Sequence, residues 1–146
     1  MGLGLALSCT GVFSMASDFG TADEARTMLE KAAAALEADE KEALEDFNAG
    51  AEGFKDKDLY VFCGGADGMF SAHGTKADAL VGKVSLQNLK DKKGNELGKE
   101  MYSRAAEGKI VEVAYMWPKP GGEEPVDKLI YATRVGDQIC GVGYYK

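Results

Sequence analysis

The spacing of apolar side chains changes near residue 58 from three and four to two, and that switch decides which folds the chain can adopt. Before it, Thr21-Ala22-Asp23-Glu24 joins a hydroxyl able to cap a helix to acids in the first turn, where they face the positive end of the helix dipole. Leu29, Ala33 and Leu36 then fall on one face. At Asp39-Glu40-Lys41-Glu42 the spacing skips and the residues take the form of a second helix start, after which Leu44, Phe47, Ala51 and Phe54 resume the stripe. Residues 19–54 are therefore expected to form two consecutive helices, or one helix kinked near Asp39.

After the switch, Leu59-Tyr60-Val61-Phe62-Cys63 reads as a dense strand, and Asp67-Gly68 marks a hairpin whose return strand is 69–73. A loop region containing Val81-Gly82-Lys83 and a turn at Asp91-Lys92-Lys93-Gly94 lead to a short helix over 96–107 that ends at Gly108. Strands are expected at 109–117, 128–135 and 138–145, joined by connections rich in Pro, Gly and Asp. Helices, hairpin, helix and a three-strand meander make an α+β domain, an antiparallel sheet with helices packed on it. At 146 residues the chain supplies one such domain.

The charge balance narrows the partners. Seventeen bases against 24 acids give a net charge of −7, with no basic stripe interleaved with aromatics, so nucleic acid is not expected as a partner. No charged residue precedes Asp18. Residues 1–16 are apolar and small and end in Ser14-Met15-Ala16, which has the form of a signal-peptide apolar region with a small-x-small cleavage site, although no Lys or Arg precedes it. The competing reading is a buried N-terminal segment. Export is the expectation, to the periplasm or the medium. Cys9 would leave with that segment, and Cys63 and Cys140 remain as a pair in a compartment that permits disulfides.

Few residues suggest chemistry. Val111, Val113, Tyr115 and Trp117 share one strand face, and Ile139, Gly141, Gly143 and Tyr145 share another. Two glycines on one face let a helix or a ligand approach closely, and the small helical residues 32–35 are the simpler occupant. Tyr115 and Trp117 lie across a loop from Lys128, at the start of the next strand. Rings that exclude water beside one ammonium suit a small anion. A core tryptophan beside a solvated lysine would give the same pattern, and the residues alone favour that plainer reading. His73 is the sole histidine, with no set of ligands at zinc spacing and no group to orient it against Cys63. No nucleophile elbow, Walker loop or dinucleotide fingerprint occurs, so neither an enzyme nor a cofactor is expected.

Taken in order, Asp58-Leu59-Tyr60-Val61-Phe62, Asp67-Gly68, Ala72-His73, Leu80-Val81-Gly82-Lys83, Leu89-Lys90-Asp91, Gly94, Trp117-Pro118, Lys128-x-x-Tyr131 and Gly141-x-Gly143-x-Tyr145 resemble a single Cache domain. The helical stretch carrying Phe47-Asn48 and Gly53-Phe54 fits the same family. The resemblance spans 19–146. It implies a PAS-like antiparallel sheet of about five strands behind a long N-terminal helix or helix pair. It also implies an extracytoplasmic sensor for a short organic acid or similar metabolite, acting through a membrane receptor or kinase. Trp117, Lys128, Tyr115, Tyr131 and His73 would then line the pocket. The sequence departs from the family's pattern at Gly74, where proline often follows the histidine, and carries the acidic run Glu123-Glu124 beside the supposed anion site.

In sheets of this kind the first and last strands are neighbours, which can bring Cys63 and Cys140 within bonding reach. The pairing depends on register, which is not legible, so two buried free thiols are the expectation. The rival to a sensor is a protein-interaction module that keeps the Cache scaffold with a filled pocket. An enzyme built on the pocket face is a third, weaker reading.

Overall fold

The computed structural model describes residues 18–146. The reading of 1–16 as a leader lies outside them. Helix α1 (Ala22–Ala38) is opened by a reciprocal capping box, in which the Thr21 hydroxyl accepts from the Glu24 amide and the Glu24 carboxylate accepts from the Thr21 amide. Asp39 is in extended conformation and both ends α1 and caps α2 (Glu40–Ala49) by accepting from the Glu42 amide. The helix is therefore broken, not bent, at the point where the apolar spacing skips. The buried stripe of α1 is Ala25, Met28, Leu29, Ala32 and Leu36, so Ala32 and not Ala33 completes it.

The strands are β1 (Lys55–Asp56), β2 (Leu59–Gly64), β3 (Phe70–His73), β4 (Val111–Pro118), β5 (Pro125–Val135) and β6 (Gln138–Tyr145). They form one antiparallel sheet in the order β1-β2-β6-β5-β4, with β3 also paired to β2. The meander β4-β5-β6 forms as expected, and the first long strand lies beside the last. Two short helices, α3 (Ala77–Leu80) and α4 (Leu97–Arg104), sit in the connection between β3 and β4. The segment read as loop thus carries α3. Helix α4 stops short of Gly108, because Ala106 and Glu107 are drawn into bridges with Lys109 and Arg134.

Strand alternation gives the sheet two unlike faces. Leu59, Val61, Cys63, Leu129, Tyr131, Cys140 and Val142 point toward α1 and α2 and pack with Leu29, Leu36 and Phe47. Phe62, Val113, Tyr115, Ile130 and Ile139 point the other way, toward Leu86, Leu97 and Met101 of the β3–β4 connection. Two sequence expectations are corrected here. Cys63 and Cys140 are direct partners across β2 and β6, with Cα atoms 4.1 Å apart, and they form a disulfide rather than two free thiols. Gly141 and Gly143 do not face α1; that side of β6 carries Cys140 and Val142.

Candidate functional site

Tyr60 of β2, Tyr145 of β6, Lys128 of β5 and Tyr115 and Trp117 of β4 rise from the face opposite α1. Register brings them together: Lys128 is paired to Tyr115 on one side and Tyr145 on the other. Because β5 begins at Pro125, Lys128 is interior to its strand instead of standing at a solvated end. Only 4% of it is exposed, and its ammonium lies 4.5 Å from the Tyr145 ring centre, 5.8 Å from that of Tyr60 and 5.9 Å from that of Tyr115. Rings hold a desolvated cation through their negative faces but leave its hydrogens unsatisfied. Among the described residues no carboxylate reaches it within salt-bridge distance and it donates no hydrogen bond. Burial lowers its pKa to about 8, partly opposed by the charge of Asp58, so it stays mostly protonated at neutral pH.

The glycines of β6 make room for this group. A Cβ at Gly143 would stand 2.8 Å from the Tyr115 hydroxyl oxygen and 3.0 Å from Lys128 Cε. At Gly141 it would meet Ile130 and Phe62. The side-chain volume absent at Gly143 is occupied by the lysine and tyrosine.

His73, at the end of β3, packs its ring 4.7 Å from that of Tyr60. Its Nδ1 accepts from the backbone amides of Thr75 and Lys76, at 3.3 and 3.0 Å, which places the proton on Nε2. Burial, reinforced by the charges of Lys76 and Lys128, pushes its pKa down to about 4. At neutral pH His73 is therefore an uncharged donor. The tyrosines also remain protonated: burial raises Tyr60 and Tyr115 above the usual phenol range and takes Tyr145 up to about 12.

Two adjoining cavities open here, both bordered by Tyr60, Lys76 and Trp117. The inner one, about 250 Å³, lies between the sheet and the β3–β4 connection and includes His73 and Tyr115. The outer one, about 600 Å³, is lined among the described residues by seven lysines (55, 57, 76, 90, 92, 119 and 128) and one carboxylate, Asp58. In a chain of net charge −7 that is a concentrated positive mouth. Lys57 pairs with Glu24 and Lys90 with Glu96, and Lys119 stacks over Phe19. Asp58 accepts from the Gly20 amide through Oδ1, while its buried Oδ2 has no partner among the described residues. On the opposite rim Asp91 accepts from the amides of Lys93, Asn95 and Met116 and from the Asn95 side chain, tying the connection to β4 beside Trp117.

Of the five residues singled out in the sequence, Trp117, Lys128, Tyr115 and His73 meet on this face. Tyr131 does not. Three positions after Lys128 on a strand, it points to the other side, stacks on Tyr144 and lies under Arg26 of α1. Sequence reasoning missed Tyr60, which touches Lys128 and His73 and borders both cavities. Its alternation with Phe62 in β2 was visible, but which face that pair takes is a matter of tertiary packing.

The sequence profile of the Cache-domain family matches residues 10–145. The chain belongs to the Cache-domain family. Its match begins inside the segment read as a leader and runs through the last strand. Solved structures agree on the fold of this Cache domain. A methyl-accepting chemotaxis protein from Vibrio parahaemolyticus superposes with a TM-score of 0.65 at 22% identity, covering 84% of this chain and 86% of the other. A Cache chemosensory domain described for its recognition of carboxylic acids gives 0.57 at 24% identity, covering 84% and 86%. A periplasmic sensor domain of a chemotaxis protein gives 0.56 at 24%, covering 84% and 88%. No curated protein sequence matches. The acidic run Glu123-Glu124 of this Cache domain lines neither cavity.

Proposed function

We propose that this Cache domain is an extracytoplasmic sensor module that binds a small carboxylate between Lys128 and His73. The observation that carries the reading is a site made of donors with nothing to donate to. The Lys128 ammonium and the His73 ring both lie beside the Tyr60 ring, and neither that ammonium nor the His73 Nε2–H has a hydrogen-bond acceptor among the described residues. An ionised carboxylate is an acceptor-only group, and it would supply the charge a buried ammonium otherwise lacks. The lysines of the outer mouth would raise the local concentration of such an anion. Similarity to sensor domains of chemotaxis proteins, one of them described for carboxylic acid recognition, supports the same reading, as does a disulfide, which persists in oxidising compartments.

The test is calorimetric titration of the protein and of its Lys128→Met variant with monocarboxylates at several pH values. A charge-assisted hydrogen bond is worth about 1.5–3 kcal/mol, so the variant should bind roughly ten- to a hundredfold more weakly. It should melt no lower, because a desolvated charge has been removed from the interior. Lys128 with a pKa of about 8 also fixes the pH profile. The anion needs the protonated form, so affinity should be flat below pH 8 and fall by about tenfold per unit above it. Stability of the free protein runs the opposite way: the lowered pKa costs stability below pH 8, and that cost is relieved as pH rises from 8 toward the ordinary lysine value. Unchanged affinity in Lys128→Met, with the melting temperature held, would remove Lys128 from the site.

A further inference from the structure

The ammonium of Lys128 answers one end of a ligand; the chamber behind it describes the other. The inner cavity is walled by Phe62, Phe70, Leu80, Leu89, Leu97 and Ile130, with aromatic faces of Tyr60, Tyr115 and Trp117 at its border with the outer cavity and beside it. His73 offers it one N–H, and among the described residues the only cation on its lining is Lys76, which is exposed and stands where the chamber meets the mouth. Nothing in that lining would hold a second carboxylate or a row of hydroxyls, and burying either there without partners would be costly. Nor is there a seat for an amine. The orphaned Oδ2 of Asp58 is buried away from solvent, and Asp58 borders the outer cavity, not the inner one. The mouth lysines do not supply a second anion seat either, since they are exposed and two of them are already paired to carboxylates. At about 250 Å³ the chamber is below the roughly 300–1,000 Å³ of sites for drug-sized ligands, so it takes a small apolar group.

We infer that the ligand is a monocarboxylate carrying an apolar tail, a short alkyl chain or a single aromatic ring, with the carboxylate at Lys128 and the tail in the inner chamber. This rests on the carboxylate reading above and narrows it from short organic acids in general to amphipathic ones. Each methylene buried in such a chamber is worth about fourfold in affinity. A series of probes tests it: acetate, hexanoate, 3-phenylpropionate, succinate, phenylalanine and hexanol, titrated calorimetrically into the full chain. Hexanoate, with four more methylenes than acetate, and 3-phenylpropionate should bind on the order of a hundredfold tighter than acetate, with a more negative heat capacity change. Succinate and phenylalanine should bind no better than acetate, and hexanol more weakly than hexanoate. Leu89→Asn, at a half-buried wall position, should cost hexanoate about tenfold and leave acetate within about twofold, which also reports that the variant is folded.

The failures are distinct. Equal affinity for acetate and hexanoate, or tighter binding of succinate or phenylalanine, would overturn the apolar tail and leave the carboxylate at Lys128 standing. Hexanol binding as tightly as hexanoate would overturn the carboxylate reading while the apolar chamber stood. Binding of none of these probes would overturn both.

Discussion

The two faces of the sheet use the same strands and solve opposite problems. Toward α1 and α2 every large group finds a partner: leucines and valines interdigitate, Phe47 packs edge-on to Phe54, and Cys63 is bonded to Cys140. Toward the β3–β4 connection the sheet leaves an ammonium and an imidazole N–H buried among rings with no acceptor among the described residues, and leaves space beside them. One face spends its burial on stability. The other holds donors that have no acceptor among the described residues, and the difference follows strand alternation: Cys140 and Val142 one way, Gly141 and Gly143 the other.

The largest expected effect tests the closed face. Removing the disulfide by Cys63→Ser with Cys140→Ser releases a link across 77 residues, for which the chain-entropy account gives about 4 kcal/mol. Thermal melts of oxidised, reduced and substituted protein should show a large drop in melting temperature. At a temperature where the variant is still folded, ligand affinity should stay within about threefold. If affinity collapsed while the fold persisted, the two faces would not be independent.

A smaller effect tests the open face. Gly143→Val would drive methyl groups into the space held by the Tyr115 hydroxyl and the Lys128 stem. Both can give, since they are ends of side chains beside a cavity, so the domain should fold with a loss of about 1–3 kcal/mol while binding falls a hundredfold or more. Calorimetry of the folded variant decides it. Retained binding would show that the space beside Gly143 is not where the ligand sits.

Most of the architecture could be read from residue spacing because local rules and tertiary packing agree there. The Asp39 break, the Asp67-Gly68 hairpin and the Gly136-Asp137 turn are each written in residues whose backbone chemistry permits little else. Which face a residue takes is a different kind of fact. Assigning Tyr131 to the pocket placed it with Lys128 although three positions along a strand reverse the side, and setting Gly141 against α1 relied on small size without the register of β6 against β2. Register also governed the cysteines: a shift of one residue would have turned Cys140 away from Cys63. Tyr60 went unnoticed for the same reason. Lys128, Trp117, Tyr115 and His73 were brought together by the resemblance to Cache domains; their own spacing favoured a core tryptophan beside a solvated lysine, because the start of β5 at Pro125, which makes Lys128 interior, is not written in the local residues.

The smallest expected effect concerns the approach to the open face. Changing Lys55 and Lys92 together to Gln should slow association of a carboxylate about two- to fivefold at low ionic strength and hardly at all at 0.5 M salt, with the dissociation rate unchanged, as stopped-flow fluorescence of Trp117 would report. A change in dissociation rate would make these lysines part of the seat and not of its approach.

The Cys63–Cys140 bond has a mechanical meaning as well. It is a covalent rung between the first long strand and the last, set in the middle of the sheet and on the side away from the cavities. With that rung in place β2 cannot slide along β6, and the floor under Tyr60, Lys128 and Tyr145 behaves as a rigid plate. Any displacement that accompanies filling of the cavity must therefore be taken up by its roof, the β3–β4 connection, or by the lip at the β4–β5 turn. The roof is itself clamped at Asp91 to β4. The stretch from Lys76 to Leu89 is tied down as well, because the Gly82 and Gln87 amides donate to the Phe70 and Gly68 carbonyls and the Phe70 amide donates to that of Val84, so the cavity is held from both sides.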